Sequence, residues 1–227
     1  MIEIKGLTKS LYGGGHKVDI LNGIDLFIPS GQFVAITGAS GSGKTTLLSL
    51  IAGLDNATDG AIVIDGNDIT KLQEDELATL RGQRFGFVFQ NFHLIPTLTA
   101  LENVVLAAEL NNNPGADKKS KDLLGTVGLS DRLHHYPSQL SGGEQQRLSL
   151  ARAFVNEPDI VLADEPTGNL DSKNSAHIVD LILKLHQVNQ ATIIMVTHEP
   201  HIAKSSQRIL TMADGRIVED TNPPAKS

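Results

Sequence analysis

The sequence predicts an α/β fold, with a largely parallel sheet, an inserted all-helical subdomain and an antiparallel β portion at the N-terminus. Three observations carry this. Short apolar runs bounded by turn residues alternate with segments of helical periodicity. From Thr99 to Asn156 the strand signals stop and only helical patterns follow. A glycine-rich stretch, "GASGSGKTT" from Gly38 to Thr46, joins one apolar run, Phe33 to Ile36, to another, Leu47 to Ile51. Strands that alternate with helices imply parallel pairing and a sheet covered on both faces.

Taken in order, "IEIKGL" and "VDILNGIDLFI" read as strands, with Gly13, Gly14 and Gly15 as the loop between them. "QFVAIT" is a short buried strand. A helix from about Lys44 to Ala52 follows, bringing Leu47, Leu48, Ile51 and Leu54 together at helical spacing. "GAIVIDG" and "FGFVFQ" are further strands. Helices follow in "ALENVVLAAELN", "DKKSKDLLGTVGL" and "GGEQQRLSLARAFV". "DIVLADEP" is then a strand, "SKNSAHIVDLILKLHQVN" a long amphipathic helix and "ATIIMVTHE" a buried strand. "RILTMADGRIVE" closes as a hairpin on its Asp214-Gly215 turn. The expected division is an α/β core over 1–90 and 157–220, a helical subdomain over 91–156, and a disordered tail over 221–227. No internal repeat interrupts this order.

Composition bounds the function. The chain has 227 residues, 40% hydrophobic and 20% charged, which describes an ordinary globular protein with ample core. A formal net charge of −7 argues against nucleic acid as the main partner. With no cysteine, neither a disulfide framework nor a thiolate metal site is available. The N-terminal residues lack the basic-then-apolar pattern of a secretory signal, and no apolar stretch approaches the roughly 18 residues of a membrane span. The reading is therefore of a chain in a reducing cytosol that meets any membrane from outside the bilayer.

Glycine loses the most backbone entropy on folding, so a glycine cluster between core segments needs a reason. Gly38, Ala39, Ser40, Gly41, Ser42, Gly43, Lys44 and Thr45 match G-x-x-x-x-G-K-[ST] without a gap. In that pattern the glycines let backbone N–H groups turn inward around a phosphate, and the following helix offers its positive end to the same anion. Lys44 is expected to reach the terminal phosphates and the Thr45 hydroxyl to hold Mg²⁺. The bland alternative is a glycine-rich strand-to-helix turn. The motif says nucleotide and little more.

"LSGGEQQR", Leu140 to Arg147, adds a second element. Ser141 and Glu144 have the spacing of a capping box, which is one sufficient reading. A capping box does not need Gly142 and Gly143, each of which weakens the first turn. Their exposed N–H groups suit a second anion, and two phosphate-gripping elements so far apart suggest a site completed between two copies. "IVLADEPTGNLD" carries Asp164 and Glu165 at the end of an apolar strand. Such a pair is often only a solvated turn. Beside a phosphate loop, Asp164 fits the Mg²⁺-holding carboxylate and Glu165 the residue that orients or deprotonates the attacking water. His198, after another buried strand, is a candidate γ-phosphate contact, and Gln90, ending "FGFVFQ", a bridge from the site to the helical insert.

Over nearly its whole length the chain resembles the nucleotide-binding subunit of an ATP-binding cassette (ABC) transporter, with its P-loop NTPase, RecA-like core. Gly38 to Thr46, Thr46 included, resembles the Walker A loop, Gln90 the Q-loop, and Leu140 to Glu144 the signature, with Glu144 where many members carry Gln. Ile160 to Asp164 resembles Walker B, followed by Glu165 as the catalytic glutamate, Asn169-Leu170-Asp171 as the D-loop and His198 as the switch histidine. Tyr12 is similar to the aromatic residue that stacks on adenine, although a plain surface tyrosine fits it as well. "FGFVFQNFHLIPTLTALENV" and "YPSQLSGGEQQRLSLARAF" resemble the MacB, LolD and FtsE group, most closely the YbbA-like ATPases. The resemblance implies ATP and Mg²⁺ as cofactors, Gln90 as a further Mg²⁺ contact and Asp171 as a nucleotide-site residue. It also implies an ATP-dependent homodimer and a separate membrane permease-type subunit that holds the ATPase at the cytoplasmic face of the inner membrane.

Two other classes were open to the residues. A soluble ABC ATPase acting on DNA or ribosomes needs tandem cassettes or a long coiled-coil insertion, and a small P-loop metabolite kinase leaves "LSGGE" and His198 unexplained. The apolar Phe92, Leu94, Ile95 and Leu98, in a segment broken by Pro96, either fold inward or line a groove for a short helix of the membrane subunit.

Overall fold

The computed structural model describes residues 1–13, 16–111 and 114–222. In chain order its elements are β1 (Ile2–Gly13), β2 (His16–Ile28), β3 (Phe33–Gly38), α1 (Lys44–Ile51), β4 (Asp59–Ile64), β5 (Asn67–Asp68), α2 (Glu74–Arg84), β6 (Phe85–Phe89), α3 (Ala100–Glu109), α4 (Ala116–Thr126), α5 (Gly142–Phe154), β7 (Ile160–Asp164), α6 (Ser172–Asn189), β8 (Thr192–Val196), α7 (Pro200–Ala203), β9 (Arg208–Ala213) and β10 (Arg216–Asp220). Backbone proximity divides the chain into one unit of Met1–Arg81 with Thr192–Ser227, and a second of Gly82–Ala191.

In the first unit β1 pairs antiparallel with both β2 and β4, giving the order β2-β1-β4-β5. The two-residue period of β2 puts Ile24, Leu26 and Ile28 inside, and an irregularity in its pairing with β1 before Ile24 lets Leu21 be buried as well. β3 has no such alternation, because it lies between two parallel neighbours, β8 and β9, and Phe33 to Ile36 are all buried. β9 turns into β10 at Asp214 and Gly215, with φ of 48° and 73°, the positive pair of a tight hairpin. α1 buries Leu47, Leu48, Leu50 and Ile51. Leu54, expected on the same stripe, is instead exposed, because the helix has already ended at Ala52 and Gly53 turns the chain away.

The sequence reading missed α2, whose polar segment buries only Leu77, and the short α7 and β5. Of the expected loop at 13–15, Gly13 pairs with His16 and residues 14–15 lie outside the described residues. Of the expected disordered tail, Thr221 is held against β9, its N–H donating to the Ile209 carbonyl and its hydroxyl accepting from the Ile209 N–H. Residues 223–227 lie outside the described residues.

In the second unit β6 and β7 run parallel, from Phe85 beside Ile160 to Phe89 beside Asp164. The expected helical subdomain, 91–156, falls wholly within this unit, together with β6, β7 and α6. α3 starts at a Thr99–Glu102 capping box and packs on α4 and α5, while α5 packs on β6 and α6. α6 runs over its expected residues, burying Ile178, Val179, Leu181, Ile182 and Leu185 on one face.

Candidate functional site

The glycine loop of the first unit has the geometry its sequence asks for. Gly38 and Gly43 take φ of 142° and 99°, which side-chain-bearing residues rarely adopt. A Cβ on Gly38 would lie 2.2 Å from the Met212 carbonyl oxygen, and one on Gly43 2.7 Å from Leu21. Gly43 caps α1 in the left-handed conformation with no side-chain hydrogen bond, and the first turn of α1 holds no acid. The helix therefore opens with its positive end uncompensated by any carboxylate of its own turn. Lys44 is buried, 7% exposed, and its ammonium donates to the carbonyls of Gly38 and Ala39 at 2.9 and 2.8 Å. Two of its three donors are thus spent on holding the loop. The Ser42 hydroxyl is buried without a protein partner among the described residues. A polar, anion-shaped loop leaves such a group for a ligand oxygen to satisfy. Ala39, Ser40 and Thr45 are exposed and Thr46 is half-buried.

His198 lies two residues beyond the end of β8 and is exposed. It lines one pocket with Gly38, Thr37, Lys204 and Ile209, so the structure brings it beside the first glycine of the loop. Tyr12 stands near the end of β1 with 76% of its surface exposed, available to a planar ligand and held by no core packing.

In the second unit the parallel register sets the ends of β6 and β7 side by side, with Gln90 and Glu165 each following a paired residue, Phe89 and Asp164. Asn169 ties the two loops together. Its Nδ2 donates to the Gln90 carbonyl at 3.0 Å and to Asn91 Oδ1 at 3.1 Å, and its Oδ1 accepts from Gln90 Nε2 at 3.2 Å. Asp164 and Glu165 are half-buried, and Glu165 has a φ of 46° that turns the chain sharply off the strand.

α5 opens with its expected capping box complete. Ser141 Oγ accepts from the Glu144 N–H, while Glu144 accepts from the Ser141 N–H and hydroxyl at 2.8 Å and from Arg132 Nε at 3.0 Å. These bonds, the Ser141 amide foremost, push the Glu144 carboxyl down to about 2. A Cβ on Gly143 would meet Asn174 Oδ1 at 2.7 Å, whereas one on exposed Gly142 would meet nothing closer than 3.6 Å. Gly143 is thus required by packing against α6, and Gly142 leaves an open surface.

Asp171, expected beside a nucleotide, is engaged within its own chain. It caps α6, accepting from the Lys173 and Asn174 N–H groups at 3.0 Å, and these bonds, that of Asn174 first, lower its pKa. Three polar residues of the second unit escaped the sequence reading. Asn103 of α3 is buried and pins the loop before it, with Nδ2 near the carbonyls of Ile95, Leu98 and Thr99 and Oδ1 accepting from the Ile95 N–H. Gln146 of α5 is fully buried and donates to the Pro166 carbonyl, just beyond Glu165. Arg152 of α5 reaches the carbonyls of Phe92 and His93. In that loop Phe92, Leu94 and Leu98 are half-buried and Ile95 is exposed.

Comparison with known proteins supplies context for this geometry. The model of the ABC transporter family matches residues 21–168. The macrolide export ATP-binding/permease protein MacB of Nitrosomonas europaea is 48% identical over 225 residues, covering 97% of this chain and 34% of that protein. MacB of Brucella abortus is 47% identical over 223 residues with the same coverage. The chain thus spans about a third of the length of these relatives. The ABC transporter ATP-binding protein YbbA of Escherichia coli K12 is 45% identical over 222 residues, 97% of each chain. Two structures of the dimeric cassette MJ0796, one in a post-hydrolysis state with ADP and Pi, match the whole of this chain at TM-scores of 0.91, with 39% and 40% identity.

Proposed function

This chain belongs to the ABC transporter family, as one of its ATP-binding, ATP-hydrolysing cassettes, and we propose that two copies close around two MgATP to drive a separate permease-type membrane subunit. The observation that carries the reading is the pair of glycine-flanked helix starts, at Gly43 and at Ser141–Gly143, on different units of one chain. The Lys44 loop suits the phosphates of a resident nucleotide, and the open face at Gly142 suits the nucleotide of a second copy. The dimeric state of the MJ0796 cassettes supports the same arrangement.

In the proposed cycle Lys44 turns from the loop carbonyls toward the β- and γ-phosphates, and the loop amides with Ser42 hold the remaining oxygens. Among the described residues no three acidic, histidine or cysteine side chains cluster as a metal site. In this proposal the oxygen donors of Thr45, Gln90 and Asp164 would hold Mg²⁺. When bound, Mg²⁺ supplies charge neutralisation for the transferred phosphoryl group. Glu165 orients or deprotonates water, whose oxygen attacks the γ-phosphorus as the bond to the ADP oxygen breaks. Lys44 and His198 stabilise the charge that develops. Tyr12 is proposed to stack on adenine. Loss of the γ-phosphate removes the bridge between the copies, which reopen.

Among the described residues no helix is long and apolar enough to cross a membrane. In this proposal the permease subunit supplies the span, and through it the ATPase sits at the cytoplasmic face. The loop carrying Phe92, Leu94, Ile95 and Leu98 is its docking surface. Size-exclusion chromatography of Glu165→Gln tests the cycle: ATP binding persists, turnover falls at least about a hundredfold, and a dimer elutes only with MgATP. Normal hydrolysis by this variant removes Glu165 from its role. Leu94→Asp tests the docking surface, since one buried side chain is worth about 2 kcal/mol and a charge there reverses its sign. The variant is expected to keep ATP binding and lose co-purification with the permease.

A further inference from the structure

The turn that follows Gln90 is bent against the preference of its own residues. Phe92 and His93, neither of them glycine, take φ of 56° and 48°, where the Cβ of an L-residue crowds its own backbone. Two such residues in succession persist only where their surroundings hold them. The backbone closes the turn, the Phe92 N–H donating to the Phe89 carbonyl and the His93 N–H to the Asn91 carbonyl, and Arg152 clamps it from outside: its Nη2 donates to the Phe92 carbonyl at 2.9 Å and its Nη1 to the His93 carbonyl.

The geometry of this contact is selective. In an extended chain successive carbonyls point to opposite sides, whereas here one guanidinium reaches both. A planar guanidinium fork can therefore serve both oxygens only in the bent form. The fork is half-buried, which strengthens its bonds to the carbonyls. Arg152 lies on α5, the helix that starts at Ser141–Gly143, and Phe92 reaches the start of the same helix. Its Cζ stands 4.0 Å from where a Cβ on Gly142 would be. Behind the turn, the His93 ring packs edge-on against Phe89 with centroids 4.8 Å apart, and Gln90 is bonded to Asn169.

We infer that Arg152 is a positioning residue: by holding Phe92 and His93 left-handed, it seats the Gln90 loop on the start of α5. Gln90 and Ser141–Gly143 then keep one fixed relation when a nucleotide is shared between copies. The inference rests on the shared-site reading above. Loss of Arg152 frees the turn to relax toward an extended form, which moves Phe92 off Gly142 and leaves the signature face unsupported. Nucleotide capture by the Lys44 loop of a single copy does not depend on this turn.

The test compares Arg152→Ala, Arg152→Lys and His93→Gly, alone and combined, in the wild-type and Glu165→Gln chains. Arg152→Ala is expected to bind ATP as a monomer within about twofold of its parent. It should nonetheless require at least about tenfold more MgATP to form the Glu165→Gln dimer, and kcat in the wild-type chain should fall at least about tenfold. Lysine, a point charge without the fork, restores only part of this loss. Glycine at 93 removes the conformational penalty and relieves the Arg152→Ala defect, a rescue that a merely structural arginine would not show. Unchanged dimerisation and kcat in Arg152→Ala, or a defect untouched by glycine at 93, overturns the inference. Should Arg152→Ala fail to fold, Arg152→Lys with and without His93→Gly makes the same comparison. If the parent Glu165→Gln chain itself forms no MgATP-dependent dimer, the shared-site reading falls and takes this inference with it.

Discussion

α1 and α5 both begin beside glycines, and they begin in opposite electrical states. α1 starts at left-handed Gly43, with no side-chain cap and no acid in its first turn, and with the Lys44 ammonium alongside. α5 starts at a complete capping box, with the Glu144 carboxylate held in its first turn by Ser141 and Arg132. The first arrangement concentrates positive potential and suits an anion that the chain binds alone. The second is satisfied internally, ordered without any ligand, and partly neutralised. An anion meeting it finds a formed surface of modest attraction, which suits a contact that closes only when something else has delivered the nucleotide.

Substitutions can break this contrast at either end, beginning with the largest effect. Lys44→Ala is expected to weaken ATP binding by at least about a hundredfold in titration calorimetry, through loss of a charge-assisted contact and of the loop's own brace. Ser141→Arg should leave monomer affinity within about threefold and cut ATPase activity by more than about tenfold, because a long side chain crowds the opposing nucleotide. Equal loss of monomer binding in the two variants would erase the distinction between the helices.

A smaller pair of effects concerns stability. Gly143→Ala drives a Cβ toward Asn174 Oδ1, and the Asn174 amide is itself tied to Asp171 at 2.7 Å, so the neighbour yields only by loosening the α6 cap. Denaturant unfolding should show a loss of about 1–2 kcal/mol, against less than about 0.5 kcal/mol for Gly142→Ala. The smallest effect is that of pH. Because folding lowers the Glu144 pKa to about 2, its stabilisation is fully present above the ordinary glutamate range and is lost as pH falls toward 2. Glu144→Gln keeps the box but not this titration, so stability measured between pH 6 and pH 3 should decline less in the variant, by a few tenths of a kcal/mol to about 1 kcal/mol.

The same contrast explains what could be read from the sequence. The glycine loop, the strand-end acids and the long α6 are local patterns, and each lies where its residues placed it. α2 carries no apolar stripe to announce it, only Leu77, and its helicity comes from local propensity and from Glu74, Asp75 and Glu76 in its first turn. Asp171 shows the limit for site residues: a carboxylate at the end of a motif cannot be told from a helix cap until the helix is seen to start there. Arg152, Asn103 and Gln146 are less legible still. Each is a polar residue inside a helix, and its partner is a loop carbonyl whose proximity no spacing rule encodes.

The polar contacts gathered by the Asn103 side-chain amide have a consequence for kinetics and entropy. A loop that carries apolar side chains would ordinarily sample many conformers in solution, and fixing each backbone residue costs about 1–2 kcal/mol at the moment of association. Here Ile95, Leu98 and Thr99 are already fastened to one buried side chain. The Ile95 amide should accordingly exchange with deuterium far more slowly than a loop amide exposed to water. In the proposed docking a partner helix meets a finished shape, so the encounter needs no folding step, and differences in affinity among related partners should lie in how fast they leave.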